Sequence, residues 1–218
     1  VISYAQNYED LTLWLALQNV QGGFYIDVGA AHPENLSVTK TFYDHGWHGI
    51  NIEPQGEMIE LLKAARPRDI NLCTTAGDTT GNGTYMNYDH GVGIVSNDPK
   101  IRDIFEHHGY AGHEAILGQM TLNDILEHYP PPNGQIHFLK VDCEGSETKV
   151  FQGLDLKRYR PWMIVAEAIL PTTFYRTDQP WRPYLLDNHY RFVFFDGQNC
   201  FYVATERYHS LRTTWALE

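Results

Sequence analysis

Short apolar runs alternate with amphipathic stretches along this chain, a rhythm that few folds can accommodate. The runs have strand length, and carboxylates stand at or beside the ends of four of them: Asp27, Glu53, Asp142 and Glu167. Tyr8 to Leu17 carries apolar residues at Leu11, Trp14, Leu15 and Leu17, as an opening helix would, and Gly22-Gly23 stops it. Phe24 to Val28 is a first strand that runs into Gly29-Ala30-Ala31. Ser37 is placed to cap a helix through Tyr43, Gly46 closes it, and Trp47 to Glu53 gives a second strand. A helix over Glu57 to Ala65 leads to a short third strand over Asp69 to Cys73. This order predicts βαβ units, a mainly parallel sheet and an α/β fold.

The segment from Gly77 to Gly93 reads as turns with a hairpin around Tyr85 to Tyr88. Thr121-Leu-Asn-Asp124 resembles a capping box with Asp in place of Glu; it opens a helix to His128 that Pro130-Pro131-Pro132 ends. Ile136 to Val141 is a fourth strand, Ser146 to Gln152 a helix, Trp162 to Ala166 a fifth strand and Trp181 to Asn188 a further helix. Arg191 to Phe195 and Cys200 to Val203 form an antiparallel hairpin, with Asp196-Gly197 marking its turn. Five strands and a closing hairpin predict a seven-stranded sheet in a single domain over residues 1–218.

At 43% hydrophobic and 20% charged, 218 residues suffice to bury a core. Lys and Arg number 16 against 27 Asp and Glu, a formal charge of −11 that disfavours nucleic acid as a partner. No stretch approaches about 18 consecutive apolar residues. The N-terminus lacks the basic, apolar, small-residue order of a signal peptide, so neither a membrane span nor secretion is expected. The three cysteines, Cys73, Cys143 and Cys200, are odd in number and far apart, which reads as reduced core thiols in a cytoplasmic protein. The chain begins at Val1 rather than Met, from which a longer parent polypeptide is expected.

Two constellations could carry chemistry. Asp27-Val-Gly29-Ala-Ala is a strand-end acid before a tight turn, and Glu53 ends the next strand 26 residues later. Acids at the carboxyl ends of parallel strands can hold a ribose diol by charge-assisted hydrogen bonds. One glycine stands where a pyrophosphate fingerprint needs three, so S-adenosylmethionine, with a ribose and no phosphate, fits better than a dinucleotide. The plain alternative is a helix-capping Asp27 and a solvated Glu53.

The second is Leu139-Lys-Val-Asp142-Cys-Glu144-Gly-Ser-Glu147, with Glu167 after the fifth-strand run. In a parallel sheet, Asp142, Glu144 and Glu167 converge on the same rim as Asp27 and Glu53. Such a cluster can accept a proton from a substrate hydroxyl, hold a divalent cation, or hold polar substrate groups; it can also be a solvated strand-end patch. His32, three residues after Gly29, is a candidate base or substrate ligand, or a plain loop residue. His107, His108 and His113 lack zinc-ligand spacing. Phe192, Phe194 and Tyr202 read as core, whereas Tyr175, Trp181 and Tyr184 follow the fifth strand, where a ring could stack on a sugar face. No G-x-S-x-G elbow is present.

Taken together, the motifs resemble the FkbM family of S-adenosylmethionine-dependent O-methyltransferases. The matching pieces are Ser3-Tyr-Ala-Gln-Asn-Tyr-Glu-Asp10, Tyr25-Ile-Asp-Val-Gly-Ala-Ala-His-Pro33, Phe42 through Pro54, Phe138-Leu-Lys-Val-Asp-Cys-Glu-Gly-Ser-Glu147 and Phe194 through Val203. The element order is similar to that of a Rossmann-like class I methyltransferase, mainly parallel with a C-terminal antiparallel hairpin. The resemblance implies that Asp27 and Gly29 lie under the methionine part of the cofactor, that Glu53 binds its ribose, and that Asp78 lies near adenine. It implies further that Gln6 and Asp10 close over the site. His45 and His48 stand where the nearest branch usually has arginine, and Cys143 and Ser146 also depart from it.

That branch often accompanies glycosyltransferase domains and is associated with glycan methylation. The acidic spacing is similar as well to Mg-dependent macrolide-sugar O-methyltransferases, which implies Asp142, Glu144 and Glu167 as ligands of a divalent metal. The expected activity is O-methylation of a sugar hydroxyl, such as one of rhamnose, assisted by Glu144, Glu167 or His32, with Asp142 shaping the site. Small-molecule or lipid O-methylation is the alternative within the class. A nonenzymatic glycan-binding module and a nicotinamide oxidoreductase are the alternatives outside it; the retained rim and the missing glycines argue against these in turn.

Overall fold

A computed structural model describes residues 1–88 and 94–211. Its strands are β1 (Phe24–Val28), β2 (His48–Ile52), β3 (Ile70–Leu72), β4 (Thr75–Ala76), β5 (Gly81–Tyr88), β6 (Ile94–Ser96), β7 (Gly112–Met120), β8 (Phe138–Val141), β9 (Met163–Glu167), β10 (Tyr190–Phe195) and β11 (Asn199–Ala204). The helices are α1 (Glu9–Leu17), α2 (Lys40–Asp44), α3 (Gly56–Ala65), α4 (Pro99–His107), α5 (Leu122–His128), α6 (Glu147–Gln152), α7 (Arg182–Asp187) and α8 (Tyr208–Leu211). No helix among the described residues is long and apolar enough to cross a membrane.

Seven strands form the main sheet in the order β10-β11-β9-β8-β1-β2-β3. The five from β3 to β9 are parallel, and β11 and β10 close the sheet as the antiparallel pair expected from Asp196-Gly197. Every residue of β1, β8 and β9 is buried, which is why these strands read as unbroken apolar runs. Alternation in the strands divides their side chains between two cores. Ile26, Leu139, Ile164 and Tyr202 pack against α5, α6 and α7 through Ile125, Val150, Phe151 and Leu185. Tyr25, Phe138, Val165 and Phe201 face α1 and α2 through Leu13, Leu17 and Phe42.

Several local expectations are corrected. Ser37 does not cap α2: its hydroxyl accepts a 2.6 Å hydrogen bond from the buried Arg66 guanidinium, and the helix begins at Lys40. Thr121 caps α5 by accepting from the Asp124 N–H at 3.0 Å. Asp124 is too short to complete the box and instead receives the Thr80 hydroxyl, which itself accepts the Thr121 N–H at 3.1 Å. All three cysteines are free, but Cys73 is exposed and Cys143 half-buried, so Cys200 alone is a core thiol.

The largest correction concerns the region read as turns. Gly81–Tyr88 is one eight-residue strand, paired along its whole length with β7 in a second sheet of order β4-β7-β5-β6. The remainder of that reading, residues 89–93, lies outside the described residues. Helix α4 follows, with Asp98 accepting from the Lys100 N–H at 2.8 Å and Pro99 at its first turn. This second sheet forms one wall of the cleft described next.

Candidate functional site

Strand order reverses between β1 and β8, so their following loops diverge to opposite sides and leave a crevice at the carboxyl ends of the strands. A cleft opens there, lined among others by Gln6, Gly29, Glu53, Tyr85, Asp142 and Glu144. Gly29 fixes its floor. With φ at +74° and an added Cβ placed 1.8 Å from the Asp142 carbonyl oxygen, no other residue fits where the β1 and β8 loops meet.

Glu53 stands at the end of β2 with both carboxylate oxygens held. Oε2 accepts the Ala31 N–H at 3.0 Å and Oε1 the Gln55 N–H at 2.9 Å, and each keeps a lone pair for a ligand hydroxyl. Burial pushes its pKa up, against these two backbone donors, which pull it down.

Asp27 lies beneath this rim rather than in the cleft. It is 1% exposed, and its Oδ2 accepts the Thr39 hydroxyl at 2.7 Å, to which Arg66 in turn donates at 2.6 Å. Lys140 sits between the carboxylates, 3.4 Å from Asp27 Oδ1 and 3.4 Å from Asp142 Oδ2, and donates to the Gly29 carbonyl at 2.7 Å. Burial alone would lower its pKa; Asp142 and Asp27 outweigh that and raise it, so the ammonium stays charged and its hydrogens stay committed to the floor.

Across the cleft, Asp142, Glu144 and Glu167 each bring an oxygen to within 4.8 Å of the others. The β8–α6 loop achieves this with Glu144 and Gly145 both at positive φ. Glu147 closes the loop by accepting the Cys143 and Gly145 N–H groups at 3.1 and 3.2 Å. Ser96 of the second sheet clamps it, donating at 2.6 Å to the Glu144 carbonyl. Glu144 Oε2 is buried with no hydrogen-bond partner among the described residues. Burial, then Asp142 and Glu147, push the Glu144 carboxyl up to about 8. Burial, then Asp142 and Glu144, carry Glu167 well above the usual carboxylate range. Burial and mutual repulsion favour the protonated forms of these acids, and a cation among them favours the ionised ones.

The remaining candidates lie at varying distance from this centre. Gln6 lines the cleft, while Asp10 is fully buried behind it, accepting from Ser3 Oγ, the Tyr4 N–H and Thr41 Oγ1 at 2.6–2.9 Å and so anchoring the N-terminal segment that carries Gln6. Asp78 is exposed and outside the lining, which takes Thr74, Thr75 and Ala76 from the segment just before it. His32 Nδ1 accepts from the Glu34 and Asn35 N–H groups at 3.1 and 2.9 Å. A neutral ring so bonded carries its proton on Nε2, a donor with no lone pair for base chemistry.

Trp181 is 1% exposed between Phe151 and Tyr202, and Tyr184 donates to the Leu154 carbonyl at 2.5 Å, so both belong to the core; Tyr175 alone of the three ring candidates is exposed. His107, His108 and His113 are exposed, and the three acids are the one set of potential metal ligands among the described residues.

Sequence reading missed Lys140, Tyr85 and Ser96. Tyr85 reaches the cleft from the second sheet, its hydroxyl held by Thr75 at 2.9 Å and Gln119 at 2.5 Å. The aromatic residues Tyr85 and Tyr88 in β5 were the available signal for one of them.

A mainly parallel α/β sheet with an acid-lined cleft at its switch point is the architecture on which comparison with known proteins can bear. The methyltransferase FkbM domain model matches residues 27–192, and the chain belongs to that family. Its structure is similar to the crystal structure of methyltransferase FkbM from Methylobacillus flagellatus KT, with a TM-score of 0.50 and 17% identity. The similarity covers 84% of this chain and 43% of that one, so this chain spans under half of the length of its structural neighbour. No curated protein matches the chain.

Proposed function

We propose that this is a single Rossmann-like class I methyltransferase domain that uses S-adenosylmethionine to methylate a hydroxyl of a sugar, rhamnose among the candidates, in a glycan or glycoconjugate. The observation that carries the reading is the pairing of two sets of residues on one cleft: Gly29 and Glu53 in one, Asp142 and Glu144, with Glu167 beside them, in the other. Numbered within the main sheet, the strand order is 3-2-1-4-5-7-6, the order of that class. Glu53 offers acceptors to a ribose diol, and the acids suit a cationic sulfur. The one ammonium in the lining among the described residues, Lys140, is committed to the floor, which leaves a phosphate no free cation there. That argues against a dinucleotide.

When bound, S-adenosylmethionine supplies a methyl group on positively charged sulfur and leaves as a neutral thioether. The protein's share is orientation and proton removal. Glu144 or Glu167 takes the hydroxyl proton as the new O–C bond forms, an effect of about 10²–10⁴-fold. A nearby positive charge favours their ionised forms, so the filled site generates its own base. Asp142, with one oxygen 3.4 Å from Lys140, keeps the cluster in register.

Magnesium fits the same three acids. The unpartnered Glu144 Oε2 and the all-oxygen donor set are what a hard divalent cation takes, and it would orient two sugar hydroxyls and acidify one. His32 serves as a substrate ligand through Nε2. The glycosyltransferase association that the family resemblance implies suggests that the domain acts on glycans built by attached or neighbouring enzymes. The test is methyl transfer from labelled S-adenosylmethionine to rhamnosides by the wild type, Glu144→Gln and Glu167→Gln. Loss of about 10²-fold or more in at least one variant supports the assigned roles; full activity in both contradicts them.

A further inference from the structure

The chain leaves Glu167 directly into a tight hairpin. Thr177 N–H donates to the Ala168 carbonyl and Leu170 N–H to the Tyr175 carbonyl, both at 2.9 Å, and Ile169 bridges Arg176 in antiparallel fashion. Its tip is fixed by Thr173, whose N–H and hydroxyl both bond the Leu170 carbonyl, and by Thr172 at φ +60°, a backbone state that β-branched residues seldom adopt. Its feet are equally fixed. Arg176 forms a two-pronged pair with the buried Asp178 at 3.0 and 2.8 Å and lies 3.9 Å over the Phe195 ring. Leu170 packs against the Tyr88, Ile101 and Phe105 cluster of the second sheet and α4.

This rigid arm ends in two bare rings. Phe174 is 97% exposed and Tyr175 71%, and neither ring stacks on another among the described residues. Adjacent large apolar side chains left bare at the end of a hydrogen-bonded hairpin, next to a functional centre, mark a contact surface. The tip stands three to four residues of extended chain from Glu167, roughly 10–13 Å. That is too far for the rings to touch a sugar whose hydroxyl lies against the acids, and suited to a neighbouring unit of the same chain. Aromatic faces pack on the C–H face of a sugar ring, and Tyr175 adds a hydroxyl for hydrogen bonding. A formal charge of −11 disfavours anionic surfaces as the occupant.

We propose that Phe174 and Tyr175 form an acceptor platform that stacks on a saccharide unit next to the one methylated, so that the enzyme selects an oligosaccharide over a monosaccharide. This rests on the sugar O-methyltransferase reading and narrows it to a substrate of more than one ring.

The experiment compares methyl transfer to a methyl rhamnoside and to a rhamnose-terminated trisaccharide, in the wild type and in the Phe174→Ala, Tyr175→Ala double variant. The wild type favours the trisaccharide through KM. The double variant raises the KM for the trisaccharide about tenfold, leaving kcat, the monosaccharide KM and S-adenosylhomocysteine affinity unchanged. A Phe174→Trp variant keeps the preference. Transfer with an unaltered trisaccharide KM in the double variant overturns the platform alone. Cofactor binding without transfer to either saccharide overturns the sugar reading and the platform with it. Co-sedimentation with phosphatidylcholine vesicles that disappears in the double variant also overturns the proposal, assigning the rings to a membrane surface.

Discussion

The two rims of the cleft face each other but are built on opposite electrostatic plans. On the β1–β2 side Glu53 has both oxygens held by backbone N–H groups, while Asp27 has Oδ2 bonded to Thr39 and Oδ1, without a hydrogen bond, balanced by the Lys140 ammonium 3.4 Å away. On the β8–β9 side three carboxylates crowd together, one oxygen has no partner, and two of the acids are pushed far above their usual range. The first rim is finished before any ligand arrives. The second is left in tension that a cation relieves, and in the reading above that tension makes the base.

The most damaging way to break this contrast is at the point where the rims touch. Gly29→Ala puts a methyl group against the Asp142 carbonyl and forces a left-handed backbone, for a loss of about 3 kcal/mol. In a chain of this size that lowers Tm by roughly 6–12 °C in thermal denaturation. A smaller loss would mean that the β1 and β8 loops are not locked together.

Next comes the pH dependence of the tense rim. A carboxyl raised in the folded state binds its proton more tightly there than when unfolded, so its contribution falls as pH rises from the usual glutamate range through the folded value, about 8 for Glu144. Glu144→Gln and Glu167→Gln are therefore expected to be more stable than the wild type at pH 8, by a few degrees in Tm, and nearly equal to it at pH 5. Melting curves without divalent cations check this; variants less stable at pH 8 would show that the acids are not under strain.

A subtler effect sharpens the same comparison. Mg²⁺ is expected to raise the wild-type Tm by a few degrees, more at pH 8 than at pH 6, because protons compete for the same oxygens. Chelation reverses the shift, and Glu167→Gln abolishes it. An equal shift in Glu167→Gln would place the ion elsewhere.

The contrast between the rims also explains what could be read from the sequence. Parallel strands buried on both faces appear as apolar runs, and the acids at their ends stand out; thus β1, β2, β8 and β9 and the convergence of Glu53, Asp142, Glu144 and Glu167 were legible. The second sheet was not. Gly81, Asn82, Gly83 and Asn87 in β5, and Gly112 and Gly118 in β7, carry turn propensity that long-range pairing overrides, as in the Tyr85 and Ala115 pair. Helix α4 was missed as well, although Asp98-Pro99 and the spacing of Ile101, Ile104 and Phe105 carry its signal.

Side-chain direction was the other hidden quantity. Lys140 looks like any lysine until topology sets it between Asp27 and Asp142, and Asp10 and Asp27 share the rim's motifs while pointing into the protein. His32 stands at the expected loop, but the turn beyond it consumes its lone pair.

Every assignment depends on the finished rim holding the cofactor. The direct test is calorimetric titration of the wild type and Glu53→Ala with S-adenosylhomocysteine, each with and without Mg²⁺. Binding to the wild type that weakens about 10²-fold in the variant, with or without the metal, is the expected result. No binding to the wild type under either condition, or equal binding to both proteins, would contradict the account.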